Sequence, residues 1–149
     1  MPLRLKRYLP VGSISTDVHE HYSIFQRCIA VLESVDRPAA ARLRKSIPRA
    51  AHRNPDHYFW HGDEVGEFIN DELFDVMNEH APPYTRFGAH ADDGADFGVF
   101  LDWDAIEDDP DVSIIERLGD ISTEYALVDA RALYQRHPTS GQPCVVWQA

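Results

Sequence analysis

Basic residues are scarce where this chain is most charged. From Asn54 to Glu116 it carries 18 Asp or Glu and a single base, Arg86, for a formal charge of −17. That balance excludes non-specific attraction to phosphate backbones and anionic membranes, so no direct nucleic-acid partner and no membrane partner is expected. Cysteine is nearly missing: Cys28 and Cys144 lie 116 positions apart, which leaves no disulfide framework. Long apolar runs are absent as well. The first ten residues hold bases without an apolar stretch of signal-sequence length, and nothing later approaches a membrane span. The expected location is cytoplasmic. The chain also lacks a P-loop, a dinucleotide glycine pattern, a nucleophile elbow and a Cys-x-x-Cys pair, so no cofactor is expected.

What is present suffices for a core. At 149 residues and 44% hydrophobic, the chain reads as one folded domain over 1–149. Its first 53 residues hold ten Lys or Arg against four acids, and its last 33 hold three of each. An acidic middle follows a basic front.

Residues 5–14 suggest an opening strand interrupted by Pro10 and Gly12. A helix is expected over 17–35, with Asp17 capping, Glu20 reciprocating and Cys28 on its buried face. His19 and His21 flank Glu20 and read as surface residues near the cap. Asp36-Arg37-Pro38 opens a second helix to about Ser46. Arg37, Arg42, Arg44, Lys45, Arg49 and Arg53 make 37–53 the basic part, placed to face the chain's own acids or water. In 54–62 the aromatics Tyr58, Phe59 and Trp60 are expected to dock on the core. His57 and His61 would share a face if that piece were helical.

A third helix is expected over 63–80, with Val65, Phe68, Ile69, Leu73, Val76 and Met77 as its apolar stripe. On another face Asp63, Glu67, Asp71, Asp75 and Glu79 recur every four residues, beside Glu64 and Glu72. Like charges at that spacing repel, and no base within the helix answers them. Beyond Pro82-Pro83 a hairpin is expected, its return strand over about 97–102 and its turn over 90–96. In that turn His90, Asp92, Asp93 and Asp96 are weak candidates to gather around a hard cation, since the loop lacks the spacing of an EF hand. A Phe-Gly pair occurs on each side, at 87–88 and 97–98, where an aromatic or another backbone can come close. A short turn or helix follows at 103–111, then a strand over 113–118. A strand pair around Asp129-Ala130-Arg131 comes next, with a helix over 123–136 as the competing pattern. A terminal strand covers 144–147. Helices first and strands afterwards favour α+β, with N-terminal helices packed on a small antiparallel sheet.

The stretch Ala81-Pro82-Pro83-Tyr84, then Phe87-Gly88-Ala89-His90, then 93–98 (Asp-Gly-Ala-Asp-Phe-Gly) resembles a group of small uncharacterised acidic proteins of bacterial phages and mobile elements. The match covers about 20 residues closely and about 100 loosely, and it carries no catalytic role to any position. It implies a mobile-element setting, in which small acidic proteins block host or defence machinery. Two readings follow. One is a non-enzymatic inhibitor of the anti-CRISPR kind, competing with nucleic acid for a basic surface of a host or defence protein. Its contact residues would be Glu64, Glu67, Asp71, Asp75, Glu79, Asp92, Asp93, Asp96, Asp104 and Asp108. The other is a small metal-dependent hydrolase or nucleotide-modifying enzyme using His90, Asp92, Asp93 and Asp96, with His57 or His61. A homodimer pairing the basic 37–53 face with the acids of a second copy is a third arrangement.

Overall fold

A computed structural model describes residues 7–16, 20–90 and 92–149, with the backbone alone at Asp93 and Ala95. The architecture is α+β, with N-terminal helices packed against antiparallel strands. Helix α1 (His21–Val35) buries Ile24, Phe25, Cys28, Ile29 and Leu32, one stripe at helical spacing. It begins after the expected start at Asp17, which lies outside the described residues, and Glu20 at its N-cap makes no side-chain capping bond. Asp36 closes α1 and opens α2 (Arg37–Lys45). Its N–H donates to Leu32 O at 2.7 Å, and its carboxylate accepts from Ala39 N at 3.1 Å. Burial pushes the Cys28 thiol up to about 12, which fits an inert core residue.

Helix α3 (63–79) departs from the regular helix the sequence suggests. Its ends are α-helical, Asp63–Glu67 and Phe74–Glu79, but Phe68–Leu73 forms a π turn. The cause is the period of its side chains. Val65, Ile69, Leu73 and Met77 recur every four residues, and in a regular α-helix each such step overshoots a full turn by about 40°. A π turn takes in one extra residue, which absorbs about 100° of the accumulated drift. All four side chains are buried. The same correction keeps Glu67, Asp71, Asp75 and Glu79 together on the exposed side.

The strands form two sheets rather than one. In the first, β1 (Gly12–Ser15), β2 (Thr85–His90) and β3 (Asp93–Leu101) are antiparallel in the order β1-β3-β2. Within the described residues β1 replaces the longer strand expected over 5–14. His90 pairs with Asp93, so the hairpin reverses within two residues and the loop expected over 90–96 is mostly strand. One of the two Phe-Gly pairs has a clear structural purpose. A Cβ on Gly98 would lie 2.2 Å from Gly12 O, so β1 can pass only over a glycine. Gly88, its cross-strand partner, faces open space. The outer edge of β2 is closed by Asn78, which accepts from Phe87 N at 2.9 Å and donates to Phe87 O at 3.3 Å. A side-chain amide thus does locally what a neighbouring strand would do.

Helix α4 (Trp103–Asp108), capped by Asp102, leads to the second sheet. There β4 (Val112–Ile115), β5 (Tyr125–Val128), β6 (Ala132–Arg136) and β7 (Pro143–Gln148) lie in chain order. Only β4 and β5 run parallel. Strand β4 ends at Ile115 rather than Leu118, and strands displace the helix that competed over 123–136. Asp129 and Ala130, at φ 53° and 54°, turn the chain between β5 and β6, with Arg131 N donating to Val128 O at 3.1 Å. Two positive φ values in succession mark a type I′ hairpin turn.

Two hydrophobic clusters result. The larger joins α1, α2, α3 and the first sheet, and the smaller gathers Ile106, Leu127, Leu133 and Trp147. Val11 packs against both. Trp147 Nε1 donates to Pro83 O at 2.9 Å, and Tyr84 donates its hydroxyl to Asp109 at 2.5 Å, fastening the second sheet to the connection between α3 and β2. Among the described residues, no helix is long and apolar enough to cross a membrane.

Candidate functional site: an exposed acidic helix face and a neighbouring cleft

The α3 acids are held by buried partners on the opposite side of the same helix. With Val65, Phe68, Ile69, Leu73 and Met77 buried, Asp63, Glu64, Glu67, Asp71, Glu72, Asp75 and Glu79 are left exposed. None of the seven side-chain carboxylates accepts a hydrogen bond or enters an ion pair among the described residues. Of the two surroundings expected for the basic stretch, the chain's own acids or water, no ion pair supplies the first on α3 among the described residues. Among the described residues the ion pairs are Arg44–Glu33 at 2.8 Å and His80–Asp36 at 3.0 Å, and neither joins 37–53 to the row on α3. Arg44, which bonds and attracts the carboxylate, holds Glu33 below its ordinary pKa. Asp36 is lowered first by the Ala39 N–H and then by the His80 ring. His80 faces an acceptor with each nitrogen, Val76 O at 2.9 Å and the Asp36 carboxylate at 3.0 Å. The basic segment is therefore anchored to α1 and the acidic helix to Asp36, leaving both outer faces open.

The remaining acids expected at an interface lie on other elements. Asp104 and Asp108 are exposed on α4, and Asp92 is exposed beside the hairpin reversal. Asp96 is half-buried and bonded to the neighbouring strand, accepting from the exposed Ser13 Oγ of β1 at 2.9 Å. Among the described residues the candidate cation ligands of 90–96 do not gather at one point. Strand geometry spreads positions 93 and 96 about 10 Å along β3. His90 accepts from Asp92 N at 3.1 Å and sets its ring edge-on to Phe100 at 4.9 Å. Among the described residues, no three His, Cys, Asp or Glu form a group that could hold a metal ion.

His57 and His61 do not act as a pair either. His57 accepts from Phe59 N at 3.1 Å and starts a 3-10 turn over Tyr58–His61. Successive residues of such a turn point about 120° apart, so one of three adjacent aromatics must face water. Trp60 is buried, with Nε1 donating to Ala51 O at 2.8 Å, and Phe59 packs on the core. Tyr58 does not dock and is 78% exposed. The turn brings His61 to a half-open cleft of about 340 Å³ between the start of α1 and residues 55–62. Glu20, His21 and Tyr22 form the other wall. Sequence reasoning missed this cleft because its two walls are some 35 positions apart and neither carries a recognisable motif.

In comparison with known proteins, the chain matches no family model, no curated protein and no solved structure.

Proposed function

We propose that this chain is a non-enzymatic binding protein that presents the acidic face of α3 to a basic surface on another protein. It would compete there with nucleic acid, as an inhibitor of a nucleic-acid-handling complex of the anti-CRISPR kind does. The observation that carries this is the row on α3, a rigid set of exposed carboxylates with no partner among the described residues. Opposed charge fields speed encounter and disfavour wrong partners. Asp104 and Asp108 on α4 and Asp92 near the hairpin reversal extend the same negative field. For the enzymatic alternative, no metal-ligand group at 90–96 is found among the described residues.

The test is capture from a host lysate at about 150 mM and then 500 mM salt, followed by competition with purified components. The captured protein's affinity for its own nucleic acid is measured by fluorescence anisotropy with and without this chain. Loss of nucleic-acid binding, relieved by high salt and by reversing Asp71, Asp75 and Glu79 to Lys, is the expected result. Undiminished competition by the reversed variant would sink the reading.

A further inference from the structure

We infer that the cleft between the start of α1 and residues 55–62 is an anchoring pocket for a guanidinium-bearing side chain of the protein partner. The inference rests on the reading that the partner is basic, and adds where one of its arginines is seated. The cleft encloses about 340 Å³, within the range of specific small-ligand pockets. Gly62 on its rim immediately precedes Asp63, so the cleft opens where the acidic row begins.

Its hydrogen-bonding character follows from which groups are already in use. His61 Nε2 lies 3.1 Å from Pro55 O, and His21 Nδ1 lies 3.5 Å from Trp60 O. A carbonyl oxygen only accepts, so in each neutral ring the nitrogen facing it carries the proton. His61 Nδ1 and His21 Nε2 are then lone-pair acceptors. Glu20 and Asp56 add two exposed carboxylates, which also only accept. The Trp60 indole N–H, a donor that would break this pattern, is spent on Ala51 O. Pro55 and the half-buried Tyr22 supply the apolar wall on which a planar cation can lie. A pocket rich in acceptors, carrying two negative charges and one flat side, suits a ligand with several donors, a positive charge and a planar head. Guanidinium has all three, and its fork of five N–H donors suits convergent acceptors better than an ammonium does.

The experiment is a titration of the ¹⁵N-labelled protein with N-acetyl-arginine amide, followed in ¹H–¹⁵N spectra. The neutral isostere N-acetyl-citrulline amide is run in parallel. Saturable shifts centred on Tyr22, Trp60 and Gly62 are expected with arginine and not with citrulline. Glu20→Gln with Asp56→Asn should weaken them about tenfold, the effect of removing two exposed charge partners. Both substitutions are on exposed side chains, and an unchanged spectrum elsewhere shows that the fold is kept. Equal binding of citrulline, shifts spread along α3 without a centre, or affinity indifferent to the double variant would each overturn the inference. The two readings fail separately. A cleft that takes arginine while no basic partner is captured leaves a small-cation site, whereas a captured partner with an unresponsive cleft removes only the anchor.

Discussion

At Ala130 an L-residue holds φ 54°, a conformation in which its Cβ crowds the following carbonyl. Glycine occupies it freely and is the preferred residue of a type I′ turn. Ala130→Gly should therefore stabilise the fold by about 0.5–1 kcal/mol, despite the greater freedom glycine brings to the unfolded chain. Urea unfolding would show this as a higher midpoint at unchanged slope. Asn78 gives a contrasting case. Its amide satisfies both the N–H and the C=O of Phe87, two groups on a strand edge that α3 partly covers. Asn78→Ala leaves both without a partner and should cost about 1–3 kcal/mol. The same urea titration would register that loss, and a value near zero would mean that water replaces the amide at no cost. The Asn78 role could not be read from residue type. Only the register of β2 shows what its amide faces.

In α3 the exact spacing of four, in both the apolar and the acidic rows, was visible in the sequence and meant more than amphipathicity. A regular helix cannot keep such rows straight over four turns, and the π turn at 68–73 resolves the conflict. Deleting the exposed Asn70 removes the extra residue, after which 65, 69, 73 and 77 fall at spacings of four, three and four in the shortened chain. Circular dichroism and thermal unfolding should then show a helical, cooperatively folded protein at least as stable as the parent. Loss of cooperative unfolding would show instead that the π turn is needed for packing. The other elements divide by how local their causes are. Helices α1 and α2 were legible because one side of each is apolar at helical spacing and Asp36-Arg37-Pro38 marks the boundary between them. The Asp129–Arg131 bend was legible from turn chemistry. The hairpin tip was not: Asp and Gly between 92 and 96 suggested a loop, yet pairing with β2 and the Ser13–Asp96 bond carry the strand through them. Burial of the α3 stripe followed from periodicity, while the open cleft depended on a long-range approach that no local pattern encodes.

Across the whole molecule, pH acts from both ends. Asp36 and Asp109 titrate below their ordinary values. The Ala39 N–H is the first cause at Asp36, and the Tyr84 hydroxyl at Asp109. Their contribution is present above the unfolded carboxylate value near pH 4 and is lost as pH falls through the lower folded values. Tyr84 is shifted the other way, first by burial and then by the Asp109 carboxylate that accepts its proton. A raised folded value means that the unfolded state releases its proton first. Stability is therefore intact below about pH 10 and declines as pH rises beyond it. Tyr84→Phe should flatten that alkaline decline in a series of thermal melts, and an unchanged slope would place the sensitivity elsewhere. The two clusters sharing Val11 have a further consequence, in time rather than in energy. The second sheet rests on a cluster of four buried side chains, whereas the first shares the interior of three helices. Amides of β5 and β6 should exchange with deuterium through a partial opening that leaves α1 and α3 protected. Val11→Ala would widen the gap between the two exchange rates, so that one shared side chain, beside the Trp147 and Tyr84 hydrogen bonds, helps set how far the two halves of the molecule breathe together.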